Sequence, residues 1–317
     1  MDNKRVDWFY NAKWGVFIHC LSAPPSLETG KLTSAEGWNK KVNAFNVEGL
    51  AEQLQKIGAS YVFITIGQNS GFYCAPNETY DKITGIKPSK CSQRDLVGDL
   101  YDAVGARGIK LMVYIPSGAP GFDKIAMEKF EWKWGKKGVD WPQHSNERTG
   151  LRLAEFQLKW EAVTRDWSLR WGKKASGWWV DGCYFKDEMY KHADAPNFKS
   201  FAAALRAGNP DSLISFSDGG GLPVRRLCAE EDYTHGEMWK EFPICSGRFV
   251  DGAQYHILSY LGDNWGTGEP RFTDEFVLGY TRDVNAKGGV VSWDVPTENG
   301  LILEPFVRQL KKLNEKR

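Results

Sequence analysis

Short runs of β-branched and aromatic residues alternate with longer amphipathic segments along the whole chain of 317 residues. This alternation is typical of βα units, in which helices cover a parallel sheet. Eight of the short runs are predicted strands, at 16–19, 61–66, 110–115, 178–181, 213–217, 227–229, 255–260 and 289–294, and the run at 227–229 is the weakest. Eight such units predict an α/β protein that is a single (β/α)8 TIM barrel over residues 1–317.

The longer segments carry apolar residues three and four positions apart, which is the spacing of one helix face. The clearest predicted helices are Val47–Ile57, Leu96–Ala106, Leu151–Trp171, Asn197–Ala207 and Asp274–Lys287, with a last one near Pro305–Leu313. That last helix completes the eighth unit, so no second domain is expected after it.

The longest irregular stretch, 118–146, follows the third predicted strand and contains Trp132, Trp134 and Trp141. Loops that follow strands build the active site in barrels, so this stretch is expected to form one wall of a cleft. A solvated loop is the alternative.

The charge balance argues against several classes of partner. Lys and Arg number 41 against 40 Asp and Glu, and the basic residues are scattered, which argues against nucleic acid and against an anionic membrane surface. No apolar run is long enough to span a membrane.

The sequence contains no phosphate-binding loop, dinucleotide fingerprint or metal-ligand spacing, so neither a cofactor nor a metal is expected. Aromatic residues make up 14% of the chain, which suits the C–H faces of sugars, although large cores use aromatic residues as well.

Cysteine spacing and the N-terminus leave the cellular compartment open. The chain has no C-x-x-C pair, so a structural zinc site is not expected, and buried thiols are the simpler interpretation beside three possible disulfides. Residues 1–9 contain no apolar signal sequence. The protein is therefore expected in the cytoplasm, or in the periplasm or outside the cell if a signal peptide has been removed. Its oligomeric state is not specified.

Polar side chains cluster where the predicted strands end, which is the face that carries the active site in barrel enzymes. A single polar residue at such a position is more often a helix cap or a turn residue. Several polar residues at neighbouring strand ends favour an active or binding site. They are His19, Gln68, Asn69, Tyr114, Asp181, Asp218 and Asp294.

Asp181 is the strongest candidate for a catalytic nucleophile. It ends the buried apolar strand of the segment Trp-Trp-Val-Asp-Gly-Cys at 178–183 and is followed at once by Gly182. Such a carboxylate is held rigidly at the barrel mouth, which suits nucleophilic attack. Capping of the next helix is the alternative.

Glycoside hydrolysis needs a second carboxyl group, and its candidates follow the sixth predicted strand. They are Glu230, Glu231, Asp232 and Glu237. Glu237 lies beside Trp239 and near His235, surroundings that favour the raised pKa of a general acid. An exposed acidic loop is the alternative.

Several blocks of the chain together resemble glycoside hydrolase family 29, the retaining α-L-fucosidases. The matching blocks are Trp8–His19, Phe45-Asn46 with Gly58–Thr65, Ser92–Asp99, Trp179–Gly182 and Gly288–Ile302. Their order and spacing hold from residue 8 to about residue 303.

The resemblance implies an oligosaccharide or glycoconjugate substrate and a role for individual residues. Asp181 matches the family nucleophile, and Glu237 falls near the acid/base, whose position varies within the family. His19 matches a histidine that contacts the sugar, and Tyr114 matches a pocket tyrosine beside the nucleophile. Further candidate sugar-facing rings, for which core packing is the alternative, are Trp38, Trp265 and Trp293.

The chain departs from the family pattern at residues that hold the sugar. Gln68 and Asn69 stand where fucosidases usually carry a His-His pair; both still donate and accept hydrogen bonds, so both remain candidate substrate ligands. Asp218 is followed by glycine where the family has an Asp-Arg contact. Cys20 replaces an aromatic residue, and the family's C-terminal β-sandwich has no counterpart in the sequence. Fold and reaction class are thus better defined than the sugar.

Three functions remain open. The first is a retaining, exo-acting glycosidase on fucose or an altered sugar, and the second is a catalytically silent carbohydrate-binding barrel. The third is an inverting glycosidase on the same scaffold. Carboxyl groups about 5.5 Å apart favour retention, and a separation above about 6.5 Å favours inversion.

Overall fold

The computed structural model describes residues 4–25, 33–132, 152–184 and 186–314. Trp134, Trp141 and the predicted helix start at Leu151 lie outside the described residues. The strands are β1 (Trp14–Ile18), β2 (Tyr61–Thr65), β3 (Lys110–Pro116), β4 (Gly177–Asp181), β5 (Leu213–Phe216), β6 (Phe249–Val250), β7 (Ala253–Gln254), β8 (His256–Tyr260), β9 (Val290–Asp294), β10 (Thr297–Glu298) and β11 (Leu301–Ile302). The helices are α1 (Asp7–Ala12), α2 (Ala35–Asn43), α3 (Val47–Ile57), α4 (Glu78–Thr84), α5 (Leu96–Gly105), α6 (Lys124–Lys129), α7 (Ala154–Trp171), α8 (Lys186–Met189), α9 (Phe198–Leu205), α10 (Asp274–Ala286) and α11 (Glu304–Lys311).

Seven parallel strands form the main sheet in the order β5-β4-β3-β2-β1-β9-β8. β1 pairs with β2 on one side and with β9 on the other, so the first and last barrel strands are neighbours. The remaining strands form two short antiparallel hairpins, β6 with β7 and β10 with β11. The predicted α/β fold of the (β/α)8 barrel type is confirmed, and each of the seven strands overlaps a predicted one.

Helix α3 shows how the sequence sets the ends of an element. The Asn46 side chain accepts a hydrogen bond from the Gly49 N–H and caps the N-terminus. Gly58 ends the helix in the left-handed conformation, at φ 78°. Between the two caps, Leu50, Leu54 and their neighbours on one face are buried against the sheet. The predicted bounds of this helix are confirmed.

Apolar side chains pack in two layers, one between strands and helices and one inside the barrel. Inside the barrel, the Tyr114 and Trp179 rings stack with centroids 5.5 Å apart and planes 18° apart. This stack lies at the strand ends, so the inner core forms the floor of the barrel mouth. All six cysteines are free thiols. None of the described helices is long and apolar enough to cross a membrane.

The sixth barrel position holds an irregular segment, 232–238, so the strand predicted at 227–229 is wrong. The Asp232 N–H donates to the Ile214 carbonyl of β5 at 2.9 Å. On the other side, the Met238 N–H donates to the Leu258 carbonyl of β8 at 2.9 Å, and the Leu258 N–H donates to the Gly236 carbonyl at 2.8 Å. The segment thus bridges the gap between β5 and β8.

Two carboxylates replace backbone carbonyls along β5. The Phe216 N–H donates to Glu231 Oε1 at 2.8 Å, and the Ile214 N–H donates to Asp232 Oδ2 at 3.0 Å. Glu231 Oε2 accepts from the N–H groups of Leu227 and Cys228. Those two N–H groups are therefore not available to a neighbouring strand, which explains why the predicted strand does not form. Burial raises the pKa of Glu231 to about 8, while the N–H donors act in the opposite direction.

We predict that at about pH 9, above the pKa of about 8 at which Glu231 ionises, Glu231→Gln lowers the free energy of unfolding by about 2 kcal/mol or more, because an amide NH2 replaces one accepting oxygen. Both oxygens of Glu231 accept backbone N–H groups, so neither orientation of the amide avoids a donor facing a donor. Urea unfolding measures the change. Glu241→Gln, at an exposed position, is the matched control and is expected to change stability little. Equal stability of the two variants would contradict this role for Glu231.

Candidate active site

A cavity of about 270 Å³ opens at the carboxyl ends of the barrel strands. A smaller cavity adjoins it and shares Gln68, Tyr114, Asp181 and Tyr184 with it. The larger cavity is lined by Phe17, His19, Pro25, Gln68, Tyr114, Trp179, Asp181, Tyr184, Glu237, Leu258, Asn264 and Trp265. The smaller one is lined in part by Asn69, Gly118, Ala119 and Trp132. The described part of the stretch after β3 therefore forms a wall of the cleft.

Asp181 ends β4, and its side chain reaches both cavities. The Tyr114 hydroxyl donates to Asp181 Oδ2 at 2.6 Å, and the Tyr184 hydroxyl donates to Oδ1 at 3.4 Å. Its backbone carbonyl accepts from the Ser117 N–H at 2.6 Å, which fixes the strand end. Burial raises the pKa of Asp181, and hydrogen bonds from Tyr114 and the Gly182 N–H oppose that rise.

Tyr114 orients the carboxylate of Asp181. Gln68 Nε2 donates to the Tyr114 hydroxyl at 2.7 Å, so the hydroxyl proton is left for Asp181. Burial and then the negative charge of Asp181 raise the pKa of Tyr114 well above its usual value. The phenol therefore stays protonated and keeps donating to the carboxylate.

Glu237 faces the same cavity from the irregular segment at the sixth position. The Ser217 hydroxyl donates to Oε2 at 2.9 Å, and Trp239 Nε1 donates to Oε1 at 3.1 Å. Burial and then the negative charge of Asp181 raise the pKa of Glu237 to about 7, while the two hydrogen bonds lower it. Gly236 makes this approach possible, since its φ is +61° and a Cβ there would lie 1.9 Å from the His256 carbonyl oxygen.

His235 links the backbone of Glu237 to Asp218. Its Nδ1 accepts the Glu237 N–H at 3.3 Å, and its Nε2 lies 3.6 Å from Asp218 Oδ1. Burial lowers the pKa of His235 to about 4, so the ring is neutral near pH 7. Because Nδ1 accepts, the proton is on Nε2 and faces Asp218.

Asp218 is engaged in ion pairs and does not line either cavity. Lys186 Nζ lies 2.6 Å and Arg225 Nη2 lies 2.5 Å from its Oδ2. Burial opposes the ionisation of Asp218, but the two cations outweigh it and lower its pKa. The predicted role of Asp218 in binding substrate therefore has no geometric support, because Oδ2 is paired with two cations and Oδ1 faces the His235 ring.

His19 and Trp265 lie on the side of the cavity formed by β1 and β9. His19 Nδ1 is 2.8 Å from Asp294 Oδ1, and Asp294 Oδ2 accepts the Gly266 N–H at 2.6 Å. The buried Asp294 thus holds both the imidazole and the loop that carries Trp265. The Trp265 ring packs against Tyr260, with centroids 4.9 Å apart, and lines the cavity.

Trp38 and Trp293 lie in the core, which corrects their prediction as sugar-facing rings. Both are 0% exposed, and neither lines a cavity. Trp38 Nε1 donates to the Tyr73 carbonyl at 2.9 Å, and Trp293 Nε1 donates to Thr281 Oγ1 at 3.0 Å. Their polar atoms are satisfied inside the protein, so they pack the barrel wall.

Trp179, Tyr184 and Asn264 are among the residues that line the larger cavity without having been predicted from the sequence. Tyr184 follows Asp181 by three residues on the same loop, and this proximity was a usable signal. Trp179 alternates with the buried Trp178 along β4, so the inward direction of its ring was also readable. Asn264 lies in a polar loop with no distinguishing pattern.

Two carboxyl groups with raised pKa values face one cavity, among aromatic rings and hydrogen-bonding side chains at a barrel mouth. Together with the fold, this arrangement is that of a glycoside hydrolase. The family model for α-L-fucosidase matches residues 32–313. The chain therefore belongs to the α-L-fucosidase family. A search of curated proteins finds no match.

Solved structures support the fold. The endo-fucoidan hydrolase MfFcnA4 of glycoside hydrolase family 107 superposes with a TM-score of 0.71 at 16% identity, covering 98% of this chain and 53% of that one. The α-L-fucosidase AlfC from Lactobacillus casei gives 0.65 at 17% identity, covering 98% and 97%. The α-L-fucosidase isoenzyme 1 from Paenibacillus thiaminolyticus gives 0.62 at 17% identity, covering 98% and 74%. The chain thus spans about half the length of MfFcnA4.

We predict that two substitutions move the pKa of Glu237, about 7 in the unaltered protein, in opposite directions. Ser217→Ala removes a donor to the carboxylate, so the pKa rises, by about one unit if a typical hydrogen bond is lost. Asp181→Asn removes a nearby negative charge, so the pKa falls. Carbon-13 NMR titration of labelled glutamate carboxyls measures both, with Glu237→Gln used to assign the signal. Shifts of the same sign would contradict the arrangement.

Proposed function

We propose that the protein is a retaining, exo-acting glycosidase that removes a terminal fucose or a related sugar from an oligosaccharide or glycoconjugate. The proposal rests on two carboxyl groups, Asp181 and Glu237, that face one cavity and differ in the groups that surround them. Burial raises the pKa of both groups; hydrogen bonds from Tyr114 and the Gly182 N–H oppose the rise at Asp181, whereas the charge of Asp181 adds to the rise at Glu237. A nucleophile and a general acid need opposite states of protonation, which this difference favours.

In the first step, Asp181 Oδ attacks the anomeric carbon and forms a glycosyl ester as the bond to the leaving oxygen breaks. Glu237 transfers its proton to that oxygen, so the leaving group departs as a neutral alcohol. Tyr114 and Tyr184 hold the attacking carboxylate in place.

In the second step, the now ionised Glu237 removes a proton from water, and the oxygen of that water attacks the anomeric carbon. The ester bond to Asp181 breaks, which restores the carboxylate and releases the sugar. A pKa of about 7 for Glu237 suits both halves of the cycle, since the same group must give and take a proton.

Exo action and the class of sugar rest on the shape and polarity of the cavity. Its volume of about 270 Å³ suits one sugar ring better than a run of several. Gln68 and Asn69 both donate and accept hydrogen bonds, as sugar hydroxyls require. AlfC, which resembles this chain in fold, is described in complex with α-L-fucose, and this supports a fucose-like sugar.

We predict that the protein hydrolyses one member of a panel of aryl glycosides: α-L-fucoside, α-L-rhamnoside, α- and β-galactoside, and arabinofuranosides. Asp181→Asn is expected to lower kcat by about a thousandfold or more, because the nucleophile is lost, with the melting temperature nearly unchanged. Asp211→Asn, exposed before β5 and so at the opposite end of the barrel, is the control.

If the protein hydrolyses none of these glycosides, the alternative of a carbohydrate-binding barrel is favoured. Activity that survives in Asp181→Asn would remove Asp181 from the role of nucleophile.

The anomer released first distinguishes retention from inversion. We predict that proton NMR, recorded before mutarotation, shows the anomer of the substrate's own configuration. Added azide is expected to restore turnover to Glu237→Ala and to give a glycosyl azide of that same configuration, since azide needs no general base. Release of the opposite anomer would establish the inverting alternative.

A further inference from the structure

Trp239 presents an exposed aromatic ring directly beside Glu237. Its side chain is 46% exposed, although its Nε1 donates to Glu237 Oε1 at 3.1 Å. Its backbone carbonyl accepts from Arg271 Nη1 at 2.8 Å. The residue is therefore anchored once through its ring and once through its backbone, and the ring is still open to solvent, which is unusual for so large an apolar surface.

Three consecutive glycines, Gly219–Gly221, lie beside this ring. A Cβ at Gly220 would lie 2.7 Å from Trp239 Cε2, so a side chain there would displace the indole. A Cβ at Gly219 would lie 3.5 Å from the Tyr184 ring. The glycine backbone thus runs from one ring to the other without side chains of its own; we call this strip and its two flanking rings, Trp239 and Tyr184, the trough.

This trough is connected to the general acid through two hydrogen bonds. The Gly221 N–H donates to the Glu237 carbonyl at 3.0 Å. The Gly219 N–H donates at 3.2 Å to the Ser217 hydroxyl, which itself donates to Glu237 Oε2. The position of the trough relative to the carboxyl group of Glu237 is therefore fixed by the fold.

We propose that Trp239, Tyr184 and Gly219–Gly221 form a subsite for the leaving-group sugar. This inference rests on the proposed function. Glu237 gives its proton to the glycosidic oxygen, so the sugar bonded to that oxygen must lie on the Glu237 side of the cavity. A pyranose places its C–H face against an aromatic ring, and a floor without side chains lets the ring approach closely.

Two substitutions separate the ring of Trp239 from its N–H group. Trp239→Phe keeps a ring and loses the donor to Glu237, whereas Trp239→Gln keeps an N–H donor and loses the ring. Both are compared on α-L-fucosyl-N-acetylglucosamine and on α-L-fucosyl fluoride. Fluoride is too small to reach the trough and needs little help from an acid, so the ratio of kcat/KM on the disaccharide to kcat/KM on the fluoride reports both stacking in the trough and proton transfer from Glu237. The two variants separate these contributions.

We expect Trp239→Gln to lower this ratio about tenfold, the effect of about 1.4 kcal/mol of lost stacking, and Trp239→Phe to lower it much less. The reverse order would show that Trp239 acts only through its hydrogen bond to Glu237, and would overturn the subsite. Phe249→Ala, 40% exposed and outside both cavities, is the matched control for loss of a surface ring.

If the proposed function is wrong, the wild-type protein does not hydrolyse α-L-fucosyl fluoride, and this result is distinct from loss of the subsite alone. The subsite is then judged by binding of N-acetylglucosamine in saturation-transfer NMR. Signal in the wild type that is lost in Trp239→Gln supports an aromatic sugar subsite. Equal signals in both proteins, or none in either, contradict it.

Discussion

Two buried carboxyl groups connect β5 to the irregular segment at the sixth barrel position. Glu231 and Asp232 accept N–H groups of β5 that a sixth strand would otherwise pair with carbonyls. Since side chains make these bonds, the backbone of 232–238 is free of strand geometry. It turns at Gly236, where φ is positive, and brings Glu237 to the cavity. The position of Glu237, the proposed general acid, therefore depends on two carboxyl groups that do not line the cavity.

Asp218 and Glu237 differ in the side chains that contact their carboxyl groups, and these contacts affect the pKa of each group as burial does. Asp218 has two cations within hydrogen-bond distance, and its pKa is lowered despite burial. Glu237 has only the neutral donors Ser217 and Trp239, so burial and the charge of Asp181 dominate. A neutral donor offsets part of the cost of burying a charge, whereas a cation offsets more of it. Of these two carboxyl groups, Asp218 is thus held as an anion and Glu237 is able to exchange a proton near neutral pH.

Hydrophobic periodicity was sufficient to predict seven strands, because each is an apolar run buried on both faces. It failed at the sixth position, because pairing there is made by acidic side chains that have no periodic signature. Asp181 was predictable from its place after an apolar strand. Trp38 and Trp293 were not distinguishable from Trp265 by sequence, since an indole packs equally well in a core and against a sugar. Only the three-dimensional arrangement shows which ring reaches the cavity.

Gln68 is where departure from the family pattern has the clearest physical consequence. Its amide donates to the Tyr114 hydroxyl, which donates to Asp181, so the support of Asp181 passes through groups that do not titrate near neutral pH. A histidine at this position would change its donors on protonation. Gln68 Oε1 is buried and has no hydrogen-bond partner among the described residues. A buried acceptor of this kind is costly unless a ligand supplies a donor, and a sugar hydroxyl is such a donor. The residue that supports Asp181 is therefore also placed to accept a hydrogen bond from a hydroxyl next to it.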